Sequence, residues 1–243
     1  MKIQFPYGKT HLSYEFAEVN VLTSSIEKYD PGKTPQALVE AAMVAPEGGI
    51  TLRDLAKDKE KIVLIASDHT RPVPSKVIVP PMLREIREGN PNADITILIS
   101  TGCHRETTKD ELIGKFGEDI VAGEKIVIHD CDDVENLVDI GILPSGGRCR
   151  INRLAAEADL LIAEGFIEPH FFAGFSGGRK SVLPGVAGRE TVLANHCSEF
   201  IAHPKARTGI LDGNPIHADM IYAARAAKLA FICNVVINAD KQV

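Results

Sequence analysis

The chain has 243 residues, of which 44% are apolar and 25% are charged, and its net charge is −6. These values are typical of a globular protein with one large domain, and the negative charge argues against a nucleic-acid-binding surface. No apolar run approaches the ~20 residues that cross a bilayer, and five cysteines without a CxxC spacing favour a reducing compartment. We therefore expect a soluble cytoplasmic protein with neither nucleic acid nor membrane among its partners.

The predicted elements begin with short alternating segments in residues 1–30, which indicate a small N-terminal antiparallel β-hairpin. Further along, short apolar runs typical of buried parallel strands alternate with helical patterns. The predicted strands cover 61–66, 94–99, 125–128, 159–163 and 231–237. The predicted helices cover 77–89, 107–114, 152–158 and about 215–228, the last capped by Asn214 or Asp212. This alternation predicts an α/β fold with a doubly wound, mostly parallel sheet and helices on both faces.

The chain is expected to form a single domain, with residues 1–30 as the hairpin extension and residues 31–243 as the α/β core. Its last residues, 238–243, come directly after a predicted strand and read as a turn into a further strand. A natural chain end more often forms a polar tail or a helix that packs back. This ending is therefore compatible with a fragment of a longer protein.

Three loops that follow predicted strands are rich in residues capable of chemistry. They are residues 67–75, 100–106 and 164–180. Because parallel strands end at the same edge of a sheet, we expect the three loops to converge on one site. In the first loop Asp68 and Arg71 flank a turn stiffened by prolines. The planar guanidinium of Arg71 suits a carboxylate or a phosphate.

The second and third loops, with the segment that follows them, contribute three histidines and a lysine. His104, His170 and His196 are candidates for a base or a metal ligand, since imidazole titrates near neutral pH. Lys180 is a candidate charge partner or covalent anchor. It follows the glycine-rich turn Gly174–Gly178, whose backbone N–H groups can approach an anion closely.

Other interpretations of the same residues remain open from spacing alone. The turn Gly174–Gly178 fits the G-x-S-x-G elbow of serine hydrolases, with Asp212 and His217 as possible partners, but the predicted strand ends several residues too early. Residues 174–181 resemble a P-loop, yet Arg179 stands where that motif requires glycine. Three histidines on separate loops also suit a zinc site, and a lysine among glycines suits a Schiff base.

Four segments taken together closely resemble the nickel-dependent lactate racemase family. They are Ser67–Pro72, Thr101–Arg105, Glu168–Lys180 and Asn195–His196. They occur in the same order as in that family, and the likeness extends over essentially the whole chain. Members of the family have two domains, and this sequence resembles the larger N-terminal one. The resemblance therefore implies that a C-terminal domain is missing from this chain.

The resemblance implies a nickel pincer nucleotide, the mononucleotide of pyridinium-3-thioamide-5-thiocarboxylic acid, which holds nickel through sulfur, carbon and sulfur. By this analogy Lys180 is joined to one arm of the cofactor as a thioamide, and His196 is the fourth nickel ligand. The turn with Ser176, Gly177 and Gly178 corresponds to the partner of the cofactor phosphate. Nickel and cofactor are expected to be absent when the cofactor-making enzymes are absent.

The resemblance also implies roles in catalysis for residues of the first three segments. His104 and His170 correspond to a pair of acid/base histidines, Arg71 to the residue that orients the substrate carboxylate, and Asp68 to the same cofactor pocket. The implied activity is that of an isomerase, a 2-hydroxy-acid racemase or epimerase that works by hydride transfer. The implied partners are a small 2-hydroxy acid and the cofactor-biosynthesis enzymes, and the chain alone is expected to be inactive.

Two functions from other classes compete with this one. The first is a non-catalytic domain that binds a mononucleotide or another anion on the glycine-rich turn. The second is a zinc-dependent hydrolase built on the three histidines. Metal analysis separates them, because nickel, zinc and no metal each correspond to one hypothesis.

Overall fold

A computed structural model describes residues 1–8, 10–22, 29–238 and 241–243. The chain forms two compact units, Met1–Pro31 and Gly32–Val243. The strands are β1 Lys2–Tyr7, β2 Thr10–Glu15, β3 Lys61–Ser67, β4 Asp94–Ser100, β5 Lys125–Ile128, β6 Leu137–Ile142, β7 Arg148–Asn152, β8 Leu160–Phe166, β9 Pro169–His170, β10 Gly174–Phe175 and β11 Leu229–Val235. The helices are α1 Pro35–Val44, α2 Leu52–Ala56, α3 Ser75–Gly89, α4 Lys109–Phe116, α5 Glu118–Gly123, α6 Arg153–Ala156, α7 Arg189–Asn195, α8 Ser198–Ile201 and α9 Pro215–Ala226.

The first unit contains the predicted antiparallel hairpin, which the structure confirms. Strands β1 and β2 pair from Lys2 opposite Glu15 to Tyr7 opposite Thr10. Gly8 in the connecting turn has a φ of 59°, a left-handed conformation that glycine adopts without strain. Positions 9 and 23–28 of the predicted hairpin region lie outside the described residues.

The second unit is organised around five parallel strands in the order β11-β8-β3-β4-β5. The first strand of this sheet, β3, lies in its middle. The chain then adds β4 and β5 on one side of β3, and β8 followed by β11 on the other. This reversal opens a crevice between the carboxyl ends of β3 and β8, which is where ligands bind in open α/β sheets. The predicted doubly wound parallel sheet is confirmed.

Both faces of the sheet are covered, as the unbroken apolar strands require. Successive residues of β3 alternate between two buried clusters, with Leu64 in one and Ile65 in the other. The first cluster includes side chains of α1 to α4, and the second includes side chains of α6, α7 and α9 together with β7. Within the described ranges no helix is long and apolar enough to cross a membrane.

Several elements differ from the sequence prediction. The predicted helix over 152–158 shrinks to the single turn α6, because Asn152 belongs to β7 and its side chain caps the turn by accepting from Leu154 N–H. Strands β6 and β7 form an antiparallel pair that the apolar pattern did not reveal. Helix α9 begins as predicted, with the Asn214 side chain accepting from the N–H groups of Ile216 and His217.

Candidate active site

The loops that follow β3, β4 and β8 enclose a cavity of about 460 Å³ at the carboxyl edge of the sheet. The predicted site residues that line it are Arg71, His104, His170, Ser176, Gly177, Lys180 and His196. Asp68 lies behind His104, and Gly178 lines a neighbouring cavity of about 400 Å³. The expected convergence of the three loops is thus present, because parallel strands deliver all three to one edge.

His104 follows β4 and is held by the buried carboxylate of Asp68. Its Nδ1 lies 2.7 Å from Asp68 Oδ2, and Asp68 is only 1% exposed. Because a carboxylate accepts hydrogen bonds, His104 donates its Nδ1 proton, and Nε2 of the neutral ring is left as an acceptor. Thr70 donates its hydroxyl proton to the other oxygen of Asp68 at 2.8 Å. Asp68 therefore orients His104.

His170 is held in the opposite sense. Its ring is stacked on Phe171, with centroids 4.8 Å apart, and meets Phe172 edge-on at 4.6 Å. Its Nδ1 accepts the Ala173 N–H at 3.3 Å, so the proton of the neutral ring resides on Nε2. Burial, followed by the positive charge of Lys180 and other cations, lowers the pKa of His170 to about 4. At neutral pH His170 is therefore an uncharged ring that presents a donor.

Lys180 lies in the 3-10 turn Gly178–Ser181 of the glycine-rich loop. Its Nζ is 5.8 Å from the centre of the Phe172 ring. Burial lowers the pKa of Lys180 to about 7, and the charges of Arg179 and Arg71 act in the same direction. A large fraction of this amine is therefore unprotonated and nucleophilic at neutral pH.

His196 directly follows α7 and carries a nitrogen without a partner. Its Nδ1 is buried and makes no hydrogen bond within the described residues. The ring packs edge-on against Phe172 at 5.1 Å, and burial, followed by the charge of Lys180, lowers the pKa of His196 to about 4. A neutral imidazole with a free nitrogen is the form that binds a metal ion.

The glycine-rich turn is closed by Ser176. The Ser176 hydroxyl donates to the Phe166 carbonyl at 3.0 Å and accepts from the Glu168 N–H at 2.9 Å. Its only proton is thus already used inside the loop, and a contact with phosphate requires that bond to break. Gly177 has a φ of 78°, and a Cβ there would lie 2.8 Å from the Phe166 carbonyl oxygen. Only glycine fits this position.

Arg179 stabilises the same loop through hydrogen bonds. Its guanidinium donates to the carbonyls of Ala173 and Phe175, at 2.8 and 3.0 Å, and to Nδ1 of His217 at 3.0 Å. Burial lowers the pKa of Arg179. Because His217 is engaged by Arg179 and the Ser176 hydroxyl by the backbone, the structure does not assemble the serine–histidine pair of a hydrolase.

Arg71 supplies an exposed guanidinium to the cavity wall. No carboxylate in the described ranges forms an ion pair with it; the Asp68 carboxylate binds Thr70 and His104 instead. Lys115 donates to the Arg71 backbone carbonyl at 3.2 Å and so supports the loop. An unpaired guanidinium beside two histidines is suited to binding a carboxylate.

Two residues of this site escaped the sequence interpretation. Phe172 contacts His170, His196 and Lys180. Glu164 is a buried carboxyl in the cavity wall. A lone acid at the end of an apolar strand was the available signal for Glu164. No comparable signal separates Phe172 from an ordinary core residue.

The three histidines do not form a compact metal cluster. In the part of the chain that the structure describes, three potential metal ligands lie within 4.8 Å of one another only at Asp130, Cys131 and Asp132. The cavity histidines are not part of this group. Asp132 is bound there by Arg189, with an oxygen–nitrogen distance of 2.7 Å. The geometry gives no support to a three-histidine zinc site.

Comparisons with known proteins agree on one family. The family model described as lactate racemase N-terminal domain matches residues 7–209. Curated lactate racemases of Thermoanaerobacterium thermosaccharolyticum and Lactiplantibacillus plantarum are each 54% identical over 99% of the chain. The chain spans 57% and 58% of the lengths of these two relatives.

Solved structures give the same result. The lactate racemase apoprotein of T. thermosaccharolyticum is 53% identical, with a TM-score of 0.90 over 100% of this chain and 57% of its own. A protein of Thermotoga maritima is 22% identical, with a TM-score of 0.67 over 86% of this chain and 52% of its own. At that identity the second likeness shows a shared fold alone.

Proposed function

Since this chain belongs to the lactate racemase family, we propose that it forms the catalytic and cofactor-binding part of a 2-hydroxy-acid racemase or epimerase. The observation that carries the proposal is the cavity in which two differently held histidines, an unpaired arginine and a buried lysine meet. Inversion at the carbon that bears the hydroxyl, through a planar keto acid, requires removal of a hydride and of the hydroxyl proton, and then the return of both. The proposed substrate is a small 2-hydroxy acid.

In this reaction Arg71 binds the substrate carboxylate and so fixes one end of the molecule. His104 takes the hydroxyl proton at Nε2, the nitrogen that the Asp68 contact leaves free to accept. The imidazolium that forms is stabilised by the Asp68 carboxylate beside Nδ1, as in other histidine–carboxylate pairs.

His170 begins the reaction in the other role. With its proton on Nε2 it donates a hydrogen bond to the substrate oxygen, much as a neutral imidazole polarises a carbonyl in other isomerases. To act as a base toward the opposite enantiomer, it must release the Ala173 N–H and accept at Nδ1, or exchange its tautomer. The 3.3 Å length of that bond makes the release inexpensive.

The donor set fits the nickel pincer nucleotide of the family. The unpartnered Nδ1 of His196 is the kind of nitrogen that nickel accepts. The pKa of about 7 leaves Lys180 competent to form the amide-type bond to one arm of the cofactor. Gly177 of the glycine-rich turn lines the cavity, and a turn without side chains lets the backbone approach a phosphate closely.

When bound, this cofactor supplies the hydride acceptor and the nickel. The chain's own task is then to position the substrate and to exclude water. Phe172 is 9% exposed and packs against both His170 and His196, so this part of the cavity wall is apolar.

The test is production of the protein with and without the cofactor-biosynthesis enzymes, followed by intact mass, metal analysis and chiral chromatography of lactate. We expect stoichiometric nickel and an added mass on the chain only in co-production. Interconversion of the enantiomers is expected only when the co-produced chain is also joined to the remaining length of a lactate racemase relative, because the chain spans 57% and 58% of the two curated relatives and is expected to be inactive alone. Zinc in place of nickel, or an unmodified chain that binds mononucleotides without turnover, would refute the proposal in favour of one of its two rivals.

A further inference from the structure

Glu164 is a buried carboxyl group that the proposed reaction does not use. It lies near the carboxyl end of β8, lines the cavity and is 2% exposed. Its Oε1 accepts three hydrogen bonds, from the N–H and hydroxyl of Ser67, each at 2.9 Å, and from the Ser75 hydroxyl at 3.1 Å. Its Oε2 is buried and makes none within the described residues. One oxygen is saturated, and the other is bare.

A bare buried oxygen is costly, because it has lost water and gained no partner. Burial raises the pKa of Glu164, against the opposing charge of Lys115 and the hydrogen bonds from the serines. Ser67 and Ser75 alone do not account for both oxygens. An unsatisfied polar atom in a residue that lines a cavity is the signature of a group that meets its partner only when a ligand is present.

The position of Glu164 narrows the chemistry of that partner. Glu164 stands where β8 passes β3, at the reversal point of the strand order. Phe166, two residues after it, touches the glycine-rich turn, because its carbonyl accepts a hydrogen bond from the Ser176 hydroxyl at 3.0 Å. Arg71 and Lys180 are the groups of this cavity that suit an anionic partner, whereas an ionised carboxyl group repels an anion. The matching partner is an uncharged hydroxyl group close to the phosphate turn.

We propose that Oε2 of Glu164 hydrogen-bonds a ribose hydroxyl of the mononucleotide. The inference rests on the proposed function, which brings a mononucleotide to this cavity. An acidic side chain that holds a ribose hydroxyl beside a glycine-rich phosphate turn is an established arrangement in α/β nucleotide sites. Here Ser67 and Ser75 hold Oε1, so the carboxyl group is fixed in the cavity wall before the ligand arrives.

The wild-type chain provides the first test. Calorimetry would measure the affinity for nicotinic acid mononucleotide and for its 2′-deoxy and 3′-deoxy analogues. We expect at least one deoxy analogue to bind about tenfold more weakly, the value of one hydrogen bond to a buried carboxyl group. Equal affinity for all three compounds overturns the role of Glu164 and leaves the proposed function standing. No binding of the parent nucleotide overturns both.

A double-mutant cycle between side chain and ligand provides the second test. Glu164→Ala should weaken the parent nucleotide about tenfold and abolish the difference between the parent and the sensitive deoxy analogue. If thermal unfolding shows that Glu164→Ala does not fold, the Glu164→Met variant is used in its place. Glu168→Ala, which removes an exposed carboxylate of the same cavity, should keep the difference. If the folded Glu164 variant still binds the deoxy analogue more weakly than the parent nucleotide, the proposed contact is wrong. A purely structural role of Glu164 would leave that difference in affinity unchanged.

Discussion

The two edges of the five-stranded sheet treat charge in opposite ways. At the amino-terminal edge, charged side chains lie in solvent and pair with one another. Arg53 on α2 binds Glu85 on α3 at 3.0 Å, and Lys125 at the start of β5 lies 3.5 Å from Asp94 at the start of β4. Because both members of the Lys125–Asp94 pair are more than half exposed and keep water as an alternative partner, such a pair contributes little to stability and mainly maintains solubility.

At the carboxyl-terminal edge, cationic groups crowd together out of water. Lys180, Arg179, His170 and His196 all have a pKa that burial lowers. The buried side-chain atoms without a hydrogen bond in the described ranges, Glu164 Oε2, Asn195 Oδ1, His196 Nδ1 and Asn234 Oδ1, also belong to residues at or beside this edge.

The difference shows which edge is adapted to water and which to a ligand. Unpaired buried groups lower the free energy of unfolding, and they persist where a bound molecule completes them. The parallel arrangement of the sheet brings these unpaired groups together at its carboxyl-terminal edge. The following changes would break or sharpen this contrast.

Replacement of Lys180 should have the largest effect. Lys180→Met is expected to eliminate the covalent adduct completely, because no amine remains at that position of the loop. The thermal midpoint should not fall, since an apolar side chain replaces a buried cation. Lys125→Met, at the amino-terminal edge, is the matched control and should keep the adduct. Intact mass checks both variants, and an adduct on Lys180→Met would place the attachment elsewhere.

Loss of either histidine that we propose as an acid/base should come next. In the co-produced chain joined to the remaining length of a lactate racemase relative, His104→Ala and His170→Ala are each expected to slow racemisation by roughly 10²- to 10⁴-fold, the usual contribution of a positioned acid or base. His203→Ala, at an exposed histidine, should change the rate little. Chiral chromatography from each pure enantiomer measures the effect. Wild-type turnover in either cavity variant would exclude that histidine from catalysis.

Asp68→Asn tests the orientation of His104 with a smaller expected effect. The neutral amide no longer stabilises the imidazolium and permits the wrong tautomer, so we expect a loss of roughly 10²-fold or more in turnover. Nitrogen chemical shifts of His104 should move from the Nδ1–H form toward a mixture of tautomers. Unchanged shifts and unchanged turnover together would show that the 2.7 Å contact is dispensable.

The stability of the chain should depend on pH through the buried histidines. Below its ordinary pKa near 6.5 a histidine protonates in the unfolded chain, whereas His170 and His196 resist protonation in the folded chain down to about 4. The unfolded state thus binds more protons between these values, and the free energy of unfolding should fall as the pH drops from about 6.5 to 4. Urea titrations of the wild type and His196→Leu test this, and an equally steep fall in the variant would contradict it.

The smallest effect is expected at the amino-terminal edge. Asp94→Ala removes the solvent-exposed partner of Lys125 and should shift the melting temperature by no more than about 2 °C, with less effect at high salt. Nucleotide binding should not change. A larger shift, or a change in affinity, would show that the two edges are coupled.

Much of the fold was predictable because its signal is local. The strands around Ile62–Ala66 and Ile95–Ile99 are unbroken β-branched and leucine runs, which only a sheet covered on both faces buries. The β6–β7 pair escaped prediction because its strands are short and partly exposed, and because they take their form from pairing with each other rather than from a strong apolar pattern. The helical pattern at 152–158 failed for the same reason, since pairing claimed Asn152 for β7.

What the sequence by itself determined about this protein is which residues meet. Parallel strands end at one edge, so chemistry placed after β3, β4 and β8 had to converge. What only the tertiary structure decided is the state of each group. The partner of each imidazole Nδ1, the lowered pKa of Lys180 and the unpaired oxygen of Glu164 depend on burial and on contacts between distant segments. Desolvation and hydrogen-bond geometry are properties of three-dimensional surroundings, and sequence spacing does not specify them.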